Sequence, residues 1–212
     1  IDGLISWYHR RTGDKPNKKV MNKIIETQLL LLAPIIPFIC EETWEEIGKE
    51  GYISLADWPE YEEQENKELI VLEDIVRNTL SDIRSVLKIT GIKKPEKITL
   101  FTAPQWKYDF FKELSPMLEK TRDFSKIMGN IMKNEKFKKH GQEISKLIRK
   151  YVQKGKTIEQ STNADKEFRA INEAKEFFEK EFRAEIEVKK AKDSKENKSK
   201  KAMPNKPAIL VE

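Results

Sequence analysis

Apolar residues recur at intervals of three and four along most of this chain, and the breaks in that rhythm divide it into elements. Leu4, Ile5, Trp7 and Tyr8 form the first helical pattern. It reads as a helix already under way behind an initial Ile rather than Met, as in a fragment of a longer protein. The stretch TGDKPN (12–17) is a turn, with Gly13 and Pro16 as breakers. From Asn17 onward, Val20, Met21, Ile24, Ile25, Gln28, Leu31 and Leu32 predict a helix with a wide apolar face, stopped by Pro34 and Pro37. A shorter helix from Phe38 to Lys49 puts Ile39, Trp44 and Ile47 on one side and is closed by Gly48 and Gly51. YISLADWPEYEEQEN (52–66) has no period, is acidic, and marks a domain edge.

Residues 67–90 hold the longest amphipathic run: Leu69, Leu72, Val76, Leu80, Ile83 and Leu87, widened by Ile75 and Val86. After the breaker GIKKPEK, the segment ITLFTA (98–103) is β-branched and aromatic, lies between Pro95 and Pro104, and predicts a strand. Helices are predicted over roughly 105–114, 120–132, 141–154 and 164–182. The third carries Ile144, Leu147, Ile148, Tyr151 and Val152, and the fourth Phe168, Ile171, Ala174, Phe178 and Phe182. Thr162-x-x-Asp165 resembles a capping box at the start of the fourth. AEIEVKK (184–190) alternates with period two, as a strand does. Residues 191–201, rich in Lys, Ser, Asn and Glu, read as a mobile linker. The closing AILVE (208–212) is a third strand candidate. The expected fold is therefore mainly α: part of a helical bundle over 1–60, then over 61–212 a small α+β domain with about three strands.

Charge sharpens this picture. Charged residues make up 36% of the chain, against roughly 25% in ordinary globular proteins. The net charge of +5 hides an asymmetry: −10 over 41–87, +11 over 88–156 and +6 over 189–206. Basic charge concentrated in the second half suits a polyanion, although it also serves solubility. The single Cys, Cys40, allows no intramolecular disulfide and reads as a small buried hydrophobe. With only two His besides, there is no zinc-like spacing. Nothing approaches 18 consecutive apolar residues, so no membrane partner is expected. No Ser/His/Asp or Cys/His set and no Gly-rich phosphate loop occurs, and no catalytic residue, cofactor or metal is expected in this piece.

The densest basic cluster is Lys133, Lys136, Lys138, Lys139, His140, Lys146, Arg149 and Lys150. Lys146, Arg149 and Lys150 fall at helical spacing away from the Ile144/Leu147/Ile148 face, so one side of that helix can dock while the other faces phosphate. A merely solvated face would look the same. Arg10 and Arg11, beside Trp7 and Tyr8, are further candidates. Trp106 and Tyr108 could stack on a base. Trp44 and Trp58 read as packing residues.

LLAPIIPFICEETWEEIG (31–48) is the most specific text in the chain. It resembles the Leu-Ala-Pro-x-x-Pro-x-x-x-Glu-Glu-x-Trp signature in the anticodon-binding helical domain of class Ia aminoacyl-tRNA synthetases. Phe38 stands where many members have His. SLADWPE (54–60), WYHRR (7–11), KHGQEISKLIRKYVQ (139–153) and AMPNKPAILVE (202–212) extend the likeness to the C-terminal part of archaeal-type leucyl-tRNA synthetases. The resemblance implies a ligase working with ATP and Mg in a catalytic domain whose two signature motifs do not occur here. It implies upstream catalytic and editing domains in the same polypeptide, a cytoplasmic setting, and leucine tRNAs with a long variable arm as partner. It adds Ile209, Leu210, Val211 and Glu212 as contacts to the tip of that arm, at the end of the stiff Pro207 and the linker. A purely structural edge strand is the competing role for these four. A protein-interaction or general RNA-binding module derived from a synthetase is the alternative function, with the acidic 41–87 stretch as its docking face.

Overall fold

The structure, a computed structural model, describes residues 2–13, 15–60, 66–154 and 162–212. It divides into two compact units, Ile1–Glu65 and Asn66–Glu212. Part of the acidic edge segment, 61–65, lies outside the described residues.

The first unit contains α1 (Asp2–Thr12), α2 (Lys18–Leu32), α3 (Pro37–Glu46) and a 3-10 turn at Ile53–Leu55. The Tyr8 hydroxyl accepts the Asn17 backbone N–H at 2.8 Å, and the Asn17 side chain in turn caps α2 by accepting from Lys19 and Val20. Pro37 sits at the start of α3, where a missing N–H costs nothing. Glu41 accepts the Ile53 N–H at 3.0 Å and ties the 3-10 turn to α3. The core is Leu29, Leu30, Cys40, Trp44 and Ile53, so Cys40 and Trp44 pack as expected. The predicted faces are otherwise rotated. Ile39, Ile47, Leu31 and Leu32 are exposed, and so is Trp58, at 60%. Periodicity located these helices but only part of each predicted stripe turns inward, Ile25 and Trp44 among it, because the runs are apolar on more than one side; Trp58, expected to pack, lies beyond the 3-10 turn in no helix.

The second unit begins with α4 (Lys67–Thr90), capped by Asn66 and ended by Gly91 in the left-handed region. It buries Ile75, Val76, Thr79, Leu80 and Ile83. Then come β1 (Lys97–Thr102), α5 (Gln105–Lys120), α6 (Phe124–Ile131), α7 (Glu135–Lys138), α8 (Gly141–Lys154), α9 (Ala164–Glu173), α10 (Lys175–Phe182), β2 (Glu185–Lys190) and β3 (Ala208–Val211). Among the described residues the fold is thus mainly α with a small three-stranded mixed sheet, as the sequence implies. The strand order is β2-β1-β3, with β2 parallel and β3 antiparallel to β1. Ile98 to Thr102 are all buried: α9 packs on β1, and Phe101 joins one core with Tyr108 of α5, Ala164 of α9, Ala202 and Ala208. A second core joins Phe110, Phe111 and Leu114 of α5 to Ile127, Phe137, Ile144 and Ile148.

Three local expectations change. α5 runs on to Lys120 with the exposed Pro116 inside it, because Leu114 and Leu118 continue its buried stripe. The predicted helix over 164–182 is two helices that break at Ala174, and its cap is Asn163, which accepts the Lys166 N–H. The hydroxyl of Thr162 makes no hydrogen bond. Finally, 191–201 is not a loose linker. It forms two 3-10 turns, Ala191–Asp193 and Ser199–Lys201, with Ser199 and Ala202 buried.

Candidate nucleic-acid interface

A left-handed residue sets up the tail. In Met203-Pro204-Asn205-Lys206, Pro204 fixes its own φ and Asn205 takes φ +60°, the pattern of a type II turn. Met203 and Lys206 exchange backbone hydrogen bonds of 3.0 and 2.9 Å across it. The chain then enters β3. Lys97 and Glu212 exchange both backbone bonds, and the pairs Thr99/Leu210 and Phe101/Ala208 repeat that relation two residues apart. In such a ladder the alternate residues, Ile209 and Val211, turn their N–H and C=O groups away from β1, toward the free edge of the sheet.

Beside this edge lies a groove of about 350 Å³. Asp82, Ser85 and Val86 of α4 form one wall, and Pro207, Ala208 and Ile209 another. Four lysines from separate places converge on it: Lys150 of α8, Lys198 and Lys201 of the 3-10 segment, and Lys206 after the turn. All four are exposed. Asp82 balances part of this charge through an ion pair of 3.4 Å with Lys206.

Two buried charges hold the lysine-bearing segment. Lys107 of α5 is only 2% exposed. Its ammonium donates to the Lys200 carbonyl at 2.8 Å and the Ala202 carbonyl at 3.0 Å, and it pairs with Glu143 of α8 at 2.5 Å. All three of its protons are thereby used. Glu167 of α9 is fully buried. Its Oε2 accepts from the Tyr108 hydroxyl and from the Asn205 N–H at 2.6 Å. Burial raises its carboxyl to about 7, against the lowering pull of those hydrogen bonds. Burial and the neighbouring Glu167 charge push the Tyr108 phenol upward too, so Tyr108 is a spent donor rather than a stacking platform.

The predicted basic residues separate into groups. On α8, Ile144, Leu147 and Ile148 are buried while Lys146, Arg149 and Lys150 are exposed. Arg149 also lies over the Phe124 ring at 5.1 Å. Lys133, Lys136, Lys138 and Lys139 are exposed around α7. Lys138 pairs with Glu135, and Lys133 donates to Asn130. His140 stacks flat on Trp106 with ring centres 4.0 Å apart, so each ring occupies the other. Burial lowers the His140 imidazole below its ordinary value. Only Lys150 of this set reaches the groove. Arg10 is exposed and Arg11 half-buried at the end of α1, in the other unit. Of the four tail residues, Ile209 is 5% exposed and has its side chain in the core, so it can offer a ligand backbone atoms only. Leu210 and Val211 are half-buried, and Glu212 is exposed. Among the described residues, no cluster of His, Cys, Asp or Glu could hold a metal, and no helix is long and apolar enough to cross a membrane.

Lys198, Lys201 and Lys206 are absent from the sequence-predicted set, because their segment reads as low complexity. The dipeptide Pro204-Asn205 is the signal that could have found them, since it fixes a turn and folds the lysines back beside β3.

Residues 1–103 match the family model described as the anticodon-binding domain of tRNA ligase. The match runs through the first unit and on into α4 and β1. Among curated proteins, the leucine–tRNA ligases of Pyrococcus abyssi, Pyrococcus horikoshii and Methanocaldococcus jannaschii are 34%, 35% and 36% identical to this chain. Each alignment covers 98% of the chain and 21% of the relative. The chain thus spans about a fifth of the length of the curated relatives it matches.

Proposed function

Since this chain belongs to the leucine–tRNA ligase family, as a C-terminal part of it, we propose that it holds tRNA for aminoacylation carried out elsewhere in the same polypeptide. The first unit braces the tRNA body, and the second recognises the long variable arm of leucine tRNAs. The observation that carries this reading is the groove beside β3. Four lysines there surround a patch where the half-buried Val86 and Met203 meet the outward-facing backbone groups of β3. Phosphates bind lysines without regard to sequence, and they set the register. Unstacked loop bases present polar edges that backbone N–H and C=O groups can read, and a flat face that packs on apolar side chains. A groove with both kinds of contact suits a looped RNA tip better than a regular duplex. The exposed face of α8 extends the basic surface away from it.

On this reading ATP, Mg and leucine belong to the catalytic part of the ligase. The test replaces the groove lysines, Lys150, Lys198, Lys201 and Lys206, with Ala and measures affinity for a leucine tRNA across a salt series. The slope of log affinity against log salt should fall by roughly 0.7–0.9 for each phosphate that is no longer neutralised. An unchanged slope would remove the groove from the interface.

A further inference from the structure

The groove owes most of its charge to a segment with little core of its own. Lys198, Lys201 and Lys206 all lie between residue 198 and the start of β3. Ala202 and Met203 give it a small apolar anchor, and the rest of what fixes it is polar. The Lys107 ammonium holds the carbonyls of Lys200 and Ala202, and the Glu167 carboxyl holds the N–H of Asn205. A buried charge is costly to maintain unless its partners are in place, and here the partners are backbone atoms of the lysine-bearing segment. We propose that Lys107 and Glu167 are positioning residues for tRNA recognition: acting from α5 and α9, they clamp the 198–206 segment so that its lysines face the groove. The proposal rests on the groove being a tRNA site.

The surroundings of Glu167 fit a clamp that water can open. Its other oxygen, Oε1, is buried without a well-formed hydrogen bond, although the Ala103 backbone also pulls the carboxyl's titration down, and Oδ1 of Asn205 is buried without a partner. A proton on Oε1 turns one of these unsatisfied acceptors into a donor and leaves Oε2 free to keep Tyr108 and Asn205. The charged neighbours on α9 are engaged elsewhere, Lys166 with Glu68 of α4 and Asp165 with Lys190 of β2. Among the described residues, no cation pairs with Glu167 to compensate its ionised form. Opening the segment hydrates the carboxylate, so ionisation favours opening.

The experiment uses the whole chain as wild type, Glu167→Ala, Glu167→Gln, Lys107→Met and the triple Lys198→Ala/Lys201→Ala/Lys206→Ala. Hydrogen exchange of the 199–206 amides, corrected for the intrinsic pH effect, is compared with exchange in β1. Affinity for a long-arm tRNA is measured at one salt concentration, at pH 6 and pH 8. Glu167→Ala and Lys107→Met should speed exchange in 199–206 about ten-fold while β1 stays protected. Both should weaken tRNA binding by roughly as much as the triple lysine variant, about ten-fold. Glu167→Gln, a neutral mimic, should restore wild-type binding and abolish the faster exchange that wild type shows at pH 8. Exchange that rises equally in β1 and 199–206, or a Gln variant no better than Ala, would overturn the clamp. Opening of 199–206 with tRNA affinity intact would also overturn it. In that case the triple variant separates the causes: if it binds normally, the groove reading has failed, and if it binds weakly, only the clamp has.

Discussion

Replacing Glu167 with Gln should flatten the pH dependence of this protein's stability. The wild-type carboxyl is fully buried and titrates at about 7 in the folded chain, against its ordinary 4.5. Between those two values the folded chain keeps a proton that the unfolded chain has released. Stability therefore falls as pH rises through that window, and the whole penalty is present above it. A difference of that size corresponds to ~3 kcal/mol at about 1.4 kcal/mol per pH unit. Since no solvent reaches the group, screening does not reduce it. His140 works in the opposite direction, because burial lowers its imidazole below the ordinary value and stability gained there grows as pH rises. The difference between wild type and Glu167→Gln cancels the His140 contribution and isolates Glu167. The assay is urea unfolding of the second unit at about pH 5, 6, 7 and 8, followed by pulse-labelled exchange in β1 peptides. The Gln variant should match or trail wild type at pH 5 and exceed it by ~2–3 kcal/mol at pH 8. Parallel curves for the two proteins would show that Glu167 is hydrated or paired in solution, and the reasoning about its buried, uncompensated carboxylate would fail.

Replacing Lys146, Arg149 and Lys150 together with Ala should lower the salt dependence of tRNA binding by roughly 0.7–0.9 for each phosphate these side chains neutralise, with little change in melting temperature, because they lie outside the core; an unchanged slope would make the α8 face a solvated one. Ile209→Ala should cost ~2–4 kcal/mol in urea unfolding, since its side chain fills the space behind the edge strand; a cost under about 0.5 kcal/mol would mean that β3 is not docked. The purified chain should show no leucine-dependent pyrophosphate exchange, and exchange above background would place a catalytic site within it.

How much of this was legible in the residues depends on what each signal measures. Most helix positions follow from periodicity, and the three strands stand where a β-branched run between prolines, a period-two run and the apolar tail put them. Burial was harder to read. In 29–40 nearly every residue is apolar, so nothing in the pattern says that Leu29, Leu30 and Cys40 go inside while Ile35, Phe38 and Ile39 stay out. The tail was half legible: its strand character was plain, but the antiparallel partner that buries Ile209 lies far upstream, in β1. The groove was hidden for a different reason. Composition marks 191–201 as a mobile linker, yet it forms two 3-10 turns, and at its end Lys107 and Glu167, from elsewhere in the chain, satisfy backbone atoms of 200–205. Both show a trace in the sequence. Lys107 falls on the stripe of Phe110, Phe111 and Leu114, and Glu167 on that of Ala164, Ile171 and Ala174. A charge on an apolar stripe must find polar partners inside, and here those partners come from 200–205.

The claim that this region selects long-arm tRNAs meets its most direct test in one binding comparison. A long-variable-arm leucine tRNA and a short-arm tRNA of similar length are titrated with the chain at a single salt concentration. Phosphate contacts are common to both, so they cancel. Base contacts at the tip, on the order of 1–3 kcal/mol each, do not. The account predicts a preference of about ten-fold or more for the long arm, abolished when residues 207–212 are removed or the groove lysines neutralised. Equal affinities for the two tRNAs in the wild-type chain would contradict it.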